Sequence, residues 1–240
     1  MIAVRVIDVS DGRVREDIQS AQRRFSNFTF ERLSNKTREN CTGNDGPSDR
    51  DSSLPPCSVR QQTRDVTAAL QQCSHKADDK GWVAIVEDDT EICPSALRSM
   101  APLLRAMSQE MVESPGAWRL ALFATYFSGA SFPKSAIPAF LRHAREGLHS
   151  SPIDHLALGD WAKGATFHYQ GNLYRHRGWY STFAYRNERQ FHFLHDHFRF
   201  SVNQVGCELH PPDAVRHIAL KQGLNLSRPL DGATLKPPRP

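Results

Sequence analysis

The chain has 240 residues, of which 39% are hydrophobic and 23% are charged, as in an ordinary globular protein. A chain of this length can bury one sizeable core within a single domain. Its formal net charge of +4 is small and its basic residues are scattered, which argues against a nucleic-acid-binding protein. No apolar run approaches the length of a membrane span.

The N-terminal third predicts a strand, a helix, a polar loop and a second helix. Residues 2–9 have a strand pattern, and residues 16–25 form a basic amphipathic stretch that is typical of a helix. Residues 34–56 are rich in Asn, Asp, Ser, Gly and Pro, which predicts a polar loop insertion. Helical spacing of apolar residues resumes over 59–73.

A run of apolar residues ends in three carboxylates. Residues 82–86 are Trp-Val-Ala-Ile-Val, which predicts a strand buried on both faces, and Glu87, Asp88 and Asp89 follow without a spacer. Adjacent carboxylates repel one another unless a positive charge lies among them. At the carboxyl end of a parallel strand, that charge is commonly a divalent cation that bridges to a phosphate. The alternative is a solvated acidic turn that caps the next helix.

Strands and helices continue to alternate in the rest of the chain. The predicted elements are helix 94–111, strand 118–123, helix 134–145, a helix that starts at 151, and strand 166–169. Such alternation predicts an α/β fold over residues 1–200. Residues 170–180 are predicted as a Gly-containing loop, and residues 201–240 as a Pro-rich, poorly ordered tail.

Two features favour an oxidising lumen as the location. Asn27, Asn35, Asn40 and Asn225 each begin a glycosylation acceptor triplet. The five cysteines lack the spacing of a zinc or redox motif, and the pair that flanks the polar loop, Cys41 and Cys57, could close it with a disulfide. Reduced structural thiols are the alternative. We therefore favour a luminal protein whose targeting segment lies outside this chain.

Several short segments occur in an order that is more specific than any one of them. They are VRQQTR at 59–64, WVAIVEDD at 82–89, CP at 93–94, WRL at 118–120, FSG at 127–129, Lys134, PIDHL at 152–156 and LYRHRG at 173–178. In this order they resemble the N-acetylglucosaminyltransferase IV family of GT-A glycosyltransferases. The resemblance spans roughly residues 1–185 and is strongest from residue 59 onward.

The resemblance implies a GT-A fold, with a Rossmann-like, mostly parallel sheet flanked by helices. Members of the family carry an N-terminal membrane anchor, and their first nucleotide-binding strand and helix precede the segment that begins here at residue 2. The resemblance therefore implies that the chain is truncated at its N-terminus and lacks the first strand. It also implies that the full-length protein resides in the Golgi lumen and contacts the membrane only through the missing anchor.

The activity implied by the resemblance is an inverting, metal-dependent transfer of N-acetylglucosamine from UDP-GlcNAc to a mannose-containing N-glycan. The partners are then a nucleotide-sugar donor and a glycan acceptor. One alternative is a related transferase with another UDP-sugar, such as UDP-GalNAc transferred to a glycolipid anchor. Another alternative is a truncated protein that has lost catalysis.

Four residues are assigned to the donor and its metal by the resemblance. Asp89 and His176 would bind Mn²⁺ or Mg²⁺, and neutral imidazole suits Mn²⁺ well. Glu87 and Asp88 would contact the ribose or a metal-bound water. The spacing alone leaves a structural role for the histidine open.

The remaining candidates are a base and groups that contact the donor. Asp154 would take the proton of the acceptor hydroxyl, although a carboxylate at a helix start also fits a simple charge preference. Arg64 and Lys134 would bind the donor phosphates, with a solvated charge as the alternative. Residues 127–129 would form a wall near the donor sugar, because glycine lets the backbone approach a ligand.

Overall fold

The structure is a computed structural model that describes the chain in separate segments. They are residues 5–8, 23, 29–32, 57–86, 90–94, 96–124, 127, 129–148, 151–169, 171–176, 207 and 212–224. These segments belong to two compact units. The first comprises Met1–Ala77 and Ile137–Leu156, and the second comprises Asp78–Ala136 and Ala157–Pro240.

The elements alternate along the chain as expected for an α/β protein. The strands are β1 (Arg5–Asp8), β2 (Thr29–Arg32), β3 (Trp82–Ala84), β4 (Thr90–Ile92), β5 (Leu120–Leu122), β6 (Ser131–Pro133), β7 (Thr166–His168) and β8 (Tyr174–His176). The helices are α1 (Cys57–Ser74), α2 (Ala96–Glu113), α3 (Ile137–Glu146), α4 (Ile153–Leu156) and α5 (Pro212–Lys221), with a 3-10 turn at Lys134–Ala136 and a π-helical turn at Ala157–Trp161.

The first unit begins with a parallel strand pair. β1 and β2 run parallel, in a register that pairs Arg5 with Thr29 and Asp8 with Arg32. Neighbouring parallel strands require a crossover of a dozen or more residues, and residues 9–28 supply it. Arg23, within the predicted helix 16–25, is helical. The strand predicted over 2–9 is confirmed at β1, whereas β2 was not predicted.

Helix α1 confirms the helix predicted over 59–73. Thr63 and Leu70 on this helix are buried, and the Thr63 hydroxyl donates to the Val59 carbonyl at 3.1 Å. The end of the helix is tied to β2, because the Glu31 carboxylate accepts hydrogen bonds from Gln72 and from Lys76 just beyond the helix. Strand β2 and helix α1 therefore form one packed element pair.

The helices α3 and α4 complete the first unit through an apolar stripe. Four residues of α3 at helical spacing are buried: Ile137, Phe140, Leu141 and Ala144. The stripe holds the helix against its neighbours because these positions lie on one face. In the short helix α4, Ile153 and Leu156 are buried and Asp154 between them is half-buried.

The second unit contains a mixed sheet, which differs from the mostly parallel sheet expected from the resemblance. Its strand order is β3-β6-β5-β7. β6 is antiparallel to both of its neighbours, and β5 is parallel to β7. Among the described residues, this sheet thus has two antiparallel strand pairs and one parallel pair. The α/β class is correct, and the expectation of a mostly parallel sheet is wrong for these strands.

The strand that precedes the acidic triplet is less buried than predicted. β3 ends at Ala84 and pairs with β6 on one side. Val83 is buried, Ala84 is exposed and Val86 is 39% exposed. The prediction of burial on both faces is wrong, because β3 lies at the edge of this four-stranded sheet. Among the strands whose burial is fully described, β5 and β6 have every residue buried.

One core in the second unit joins α2 and α5 to the sheet. Helix α2 contributes Ala96, Met100, Leu103 and Met107, and it confirms the helix predicted over 94–111. The helix α5 contributes Val215, Ile218 and Ala219, followed by Leu224. Residues 212–224 were predicted as part of a poorly ordered tail, and this expectation is wrong for them. The prediction failed because three apolar side chains at helical spacing are enough to dock a short helix.

The four cysteines that the structure describes differ in oxidation state. Cys93 and Cys207 form a disulfide between Cα atoms 5.6 Å apart, across a sequence separation of 114 residues. Cys57 is also disulfide-bonded, while Cys73 retains its thiol. The predicted partner of Cys57, Cys41, lies outside the residues that the structure describes. So do the four asparagines that begin the glycosylation triplets, Asn27, Asn35, Asn40 and Asn225, and the loop 34–56.

The backbone of Gly129 lies against the side chain of Tyr174. From the sequence, this glycine was expected to let the backbone approach the donor sugar. Its φ is +87°, and a Cβ atom placed on it would lie 2.3 Å from Cδ2 of Tyr174. The Gly129 N–H donates to the Ile85 carbonyl at 2.6 Å, which fixes the turn beside β3. The contact with the Tyr174 ring therefore explains the need for glycine at position 129, and no contact with a sugar is required to explain it.

We expect Gly129→Ala to lower the free energy of unfolding by about 2–5 kcal/mol, from backbone strain and the clash with Tyr174 together. Gly116→Ala is the matched control, because Gly116 has a φ of +86° and no atom within 4 Å of an added Cβ. The control should lose only about 1–2 kcal/mol. Urea titrations of both variants measure the difference, and equal losses would contradict the proposed clash.

Candidate functional site

The two segments that carry the candidate metal ligands are paired in the structure. β4 and β8 are antiparallel, in a register that pairs Thr90 with His176 and Ile92 with Tyr174. Opposite residues of an antiparallel pair have Cα atoms about 4.5–5.5 Å apart. Asp89 is bonded to Thr90 and is therefore one residue from the position opposite His176. Asp89 itself, like Glu87 and Asp88, lies outside the described residues.

Leu173 attaches this strand pair to the main sheet. Its N–H donates to the Phe123 carbonyl at 2.8 Å, and its carbonyl accepts from the Cys93 N–H at 3.0 Å. Phe123 directly follows β5, and Cys93 directly follows β4. Leu173 is fully buried. The β4–β8 pair is therefore joined to the end of the fully buried strand β5.

The side chain of Tyr174 attaches β8 to helix α2. Its ring is 4% exposed, and its hydroxyl donates to the Met100 sulfur of α2 at 3.3 Å. Burial raises the pKa of Tyr174 to about 12, since the phenolate would lose its hydration. The ring thus stays neutral at physiological pH and serves as a packing contact between Gly129 and α2.

Lys134 lies at the opposite end of β3 from the acidic triplet. Its backbone N–H donates to the Gly81 carbonyl at 2.9 Å, and its ammonium group bonds the Asp79 carboxylate at 2.9 Å. The hydrogen bond and the charge of Lys134 hold the pKa of Asp79 below its usual value. The assignment of Lys134 to the donor phosphates stays a prediction.

Asp154 and Arg64 belong to the first unit, whereas the β4–β8 pair belongs to the second. Asp154 is the second residue of α4 and is half-buried. Arg64 is a half-buried residue of α1, and its carbonyl accepts a hydrogen bond from the Thr67 hydroxyl at 2.9 Å. Their roles as base and phosphate ligand stay predictions.

A shallow groove of about 360 Å³ follows the exposed side of α2. Its lining residues are Lys80, Trp82, Leu104, Arg105, Ser108, Gln109 and Val112. Trp82 begins β3 and donates from its indole N–H to the Ser108 hydroxyl at 2.7 Å. The groove therefore lies near the start of β3, away from the strand end that precedes the carboxylates. It contains none of the predicted site residues.

Within the part of the chain that the structure describes, no three His, Cys, Asp or Glu residues cluster to hold a metal ion. That part leaves out the acidic triplet. Among the same residues, no helix is both long enough and apolar enough to cross a membrane. Comparisons of the chain with protein-family models, curated proteins and solved structures found no match.

Sequence reasoning missed two features that shape this region. Residues 174–176 were placed in a Gly-containing loop, although Leu173 and Tyr174 form an apolar pair that is typical of a short strand. The bond between Cys93 and Cys207 was not anticipated. The five cysteines allow many pairings, and spacing alone does not select among them.

We expect the free energy of unfolding to fall as the pH rises from about 10 to about 12, in part because of Tyr174. Its pKa is about 12 when folded and about 10 when unfolded, so the unfolded chain releases the proton first. The stabilisation is complete below pH 10. Its loss amounts to about 1.4 kcal/mol per pH unit between the two pKa values.

Tyr174→Phe should remove this contribution while keeping the ring. Urea titrations of the wild type and the variant between pH 8 and 11 measure the difference in slope. Parallel pH dependences in the two proteins would contradict a buried, neutral Tyr174 hydroxyl.

Proposed function

We propose that the chain is a metal-dependent, inverting glycosyltransferase that uses a UDP-sugar donor. The observation that carries the proposal is the register of β4 with β8, in which Thr90 pairs with His176. Asp89 precedes Thr90 in the sequence, so the two candidate ligands come from neighbouring strand ends. The two paired strands thus adjoin or contain Asp89 and His176, the residues that the sequence resemblance assigns to the metal.

The residue types at these positions suit Mn²⁺ or Mg²⁺. Carboxylate oxygens are preferred ligands of both ions, and an imidazole nitrogen favours Mn²⁺. Glu87 and Asp88 add negative charge beside Asp89, and this charge would favour retention of a divalent cation. When bound, the ion would neutralise the diphosphate of the departing UDP.

The parallel strands β1 and β2 support a nucleotide-binding fold. A strand, a crossover and a parallel neighbouring strand form the unit from which nucleotide-binding α/β sheets are built. Ligands of such sheets bind beyond the carboxyl ends of the strands, and β1 ends at Asp8. We therefore propose a GT-A, Rossmann-like fold, for which this parallel pair is one strand–crossover–strand unit.

Asp154 is the proposed general base. In an inverting transfer, a carboxylate removes the proton of the acceptor hydroxyl as that oxygen attacks the anomeric carbon. The bond from the anomeric carbon to the UDP oxygen breaks on the opposite face, and the proton stays on Asp154. Arg64 and Lys134 are proposed to bind the donor phosphates through charged hydrogen bonds.

The proposed donor is UDP-GlcNAc and the proposed acceptor is a mannose-containing N-glycan, both by the resemblance alone. A luminal location in the Golgi agrees with the disulfide between Cys93 and Cys207, since such bonds persist in oxidising compartments.

We expect UDP to bind the protein in a Mn²⁺-dependent manner, and Asp89→Asn and His176→Ala each to weaken this binding by about tenfold or more, because each removes a proposed ligand. Isothermal titration calorimetry with and without Mn²⁺ measures the affinity. The matched controls are Asp78→Asn and His217→Ala, because both residues are exposed in the same unit. They should bind UDP like the wild type.

Two outcomes would contradict the metal assignment. One is equal affinity for UDP in the presence and absence of Mn²⁺, which would favour a protein without transferase activity. The other is metal-dependent binding that survives both ligand substitutions. Turnover with a panel of UDP-sugars, UDP-GlcNAc and UDP-GalNAc among them, then identifies the donor.

We expect Asp154→Asn to lower the turnover number by about 10²–10⁴-fold, because an amide cannot accept the acceptor's proton. Mn²⁺-dependent UDP binding should persist in this variant. Glu146→Gln is the control, since it removes an exposed carboxylate from α3 in the same unit. Turnover of Asp154→Asn within about twofold of the wild type would exclude Asp154 as the base.

A further inference from the structure

We propose that Gln222 takes the place of a neighbouring strand at the outer edge of β7. Its side-chain amide occupies the hydrogen-bonding groups of that edge and keeps them from pairing with a second copy of the chain. This role does not depend on the proposed transferase activity.

Strand β7 lies at one edge of the main sheet. In the strand order β3-β6-β5-β7, the described strand next to it is β5. The Tyr169 N–H, directly after β7, donates to the Leu122 carbonyl of β5 at 2.8 Å. The backbone groups of successive strand residues point to opposite sides, so those of Thr166 and His168 point away from β5. These groups form the outer edge of the sheet.

The amide of Gln222 pairs with both backbone groups of His168. Its Oε1 accepts from the His168 N–H at 2.7 Å, and its Nε2 donates to the His168 carbonyl at 2.6 Å. A side-chain amide has the same kinds of donor and acceptor as a peptide group. A residue of an antiparallel neighbouring strand would exchange the same two bonds with His168. The side chain of Gln222 therefore reproduces one step of a strand pairing.

The C-terminal cap of α5 fixes the position of Gln222. The Leu224 N–H donates to the Ala219 carbonyl at 2.9 Å, and the Gly223 N–H donates to the Leu220 carbonyl at 3.0 Å. With a φ of +81° at Gly223, these two bonds form a Schellman motif. Leu224 is 1% exposed and belongs to the core of the second unit. The backbone from which the Gln222 side chain reaches β7 is therefore held on both sides.

The side chains of β7 do not protect its edge. Edge strands are commonly protected by lysine, by proline or by an element that covers them. The sequence of β7 is Thr-Phe-His, which contains neither lysine nor proline. Partial burial lowers the pKa of His168, so the imidazole is neutral at physiological pH and adds no protective charge. Within the part of the chain that the structure describes, Gln222 is therefore the group that covers these backbone atoms.

The partner that fits the uncovered edge is a second copy of the chain. Loss of the Gln222 amide leaves the His168 N–H and carbonyl directed away from the sheet. A two-fold dimer brings the same edge of both copies together. Antiparallel pairing of two β7 strands then supplies a donor and an acceptor to each copy.

The first test measures amide hydrogen exchange in Gln222→Ala. We expect the His168 amide to exchange about tenfold faster or more, because it loses its acceptor. The Tyr169 amide should keep its protection, since its acceptor in β5 is unchanged. Gln109→Ala is the matched control, because it removes an exposed glutamine from α2 in the same unit. It should leave both amides unchanged.

The second test measures molar mass by size-exclusion chromatography with light scattering, over about 1–100 µM protein. We expect the mass of Gln222→Ala to rise above that of the wild type as the concentration increases. Gln222→Glu should keep the mass of the wild type, because a carboxylate cannot donate to the His168 carbonyl but places a charge on the edge. If Gln222→Ala does not fold, Gln222→Met removes the amide and keeps the length of the side chain.

Three results would overturn the proposal. An unchanged His168 amide in Gln222→Ala would contradict the contact itself. Equal masses for Gln222→Ala and the wild type would exclude a shielding role, even with faster exchange at His168. Equal association of the alanine and glutamate variants would assign the association to a general loss of stability instead of the uncovered edge.

Discussion

Leu173 joins the main sheet of the second unit to the β4–β8 pair. Its backbone N–H donates to the Phe123 carbonyl at the end of β5, and its backbone carbonyl accepts from the Cys93 N–H at the end of β4. Buried backbone groups must be hydrogen-bonded, so the main sheet and the β4–β8 pair cannot shift independently at this point. The close contact of Tyr174 with Gly129 and the attachment of Tyr174 to α2 reinforce the same junction.

Local patterns in the sequence were sufficient for α1 and α2, whereas they missed α5 and did not predict the order of strands in the sheet. The apolar spacing that predicts α1 and α2 is a property of each segment alone, and both helices are present. The burial of a strand depends on its neighbours. The run 82–86 has the composition of a central strand. In the four-stranded sheet, however, β3 is an edge strand whose neighbour is β6. Composition does not encode that position.

The residues of the candidate site were selected from the sequence and stay a prediction, whereas the pairing of their strands was not anticipated. Glu87, Asp88 and Asp89 stand out in the sequence because adjacent carboxylates repel one another unless a cation lies among them. His176 was selected only through the family resemblance. The register of Thr90 with His176 joins positions far apart in the sequence, and the disulfide at Cys93 joins positions farther apart still. Such contacts arise from the whole fold, so no window of residues contains them.

The separation of these partners has a consequence for biosynthesis. During translation, β3 and β4 emerge long before Tyr174–His176, and Cys207 emerges later still. Contacts between distant positions must also overcome the entropy of closing a long loop. The candidate site is therefore among the last parts of the second unit to form on the ribosome. An interrupted or prematurely released chain would carry the acidic triplet without the strand that pairs beside it.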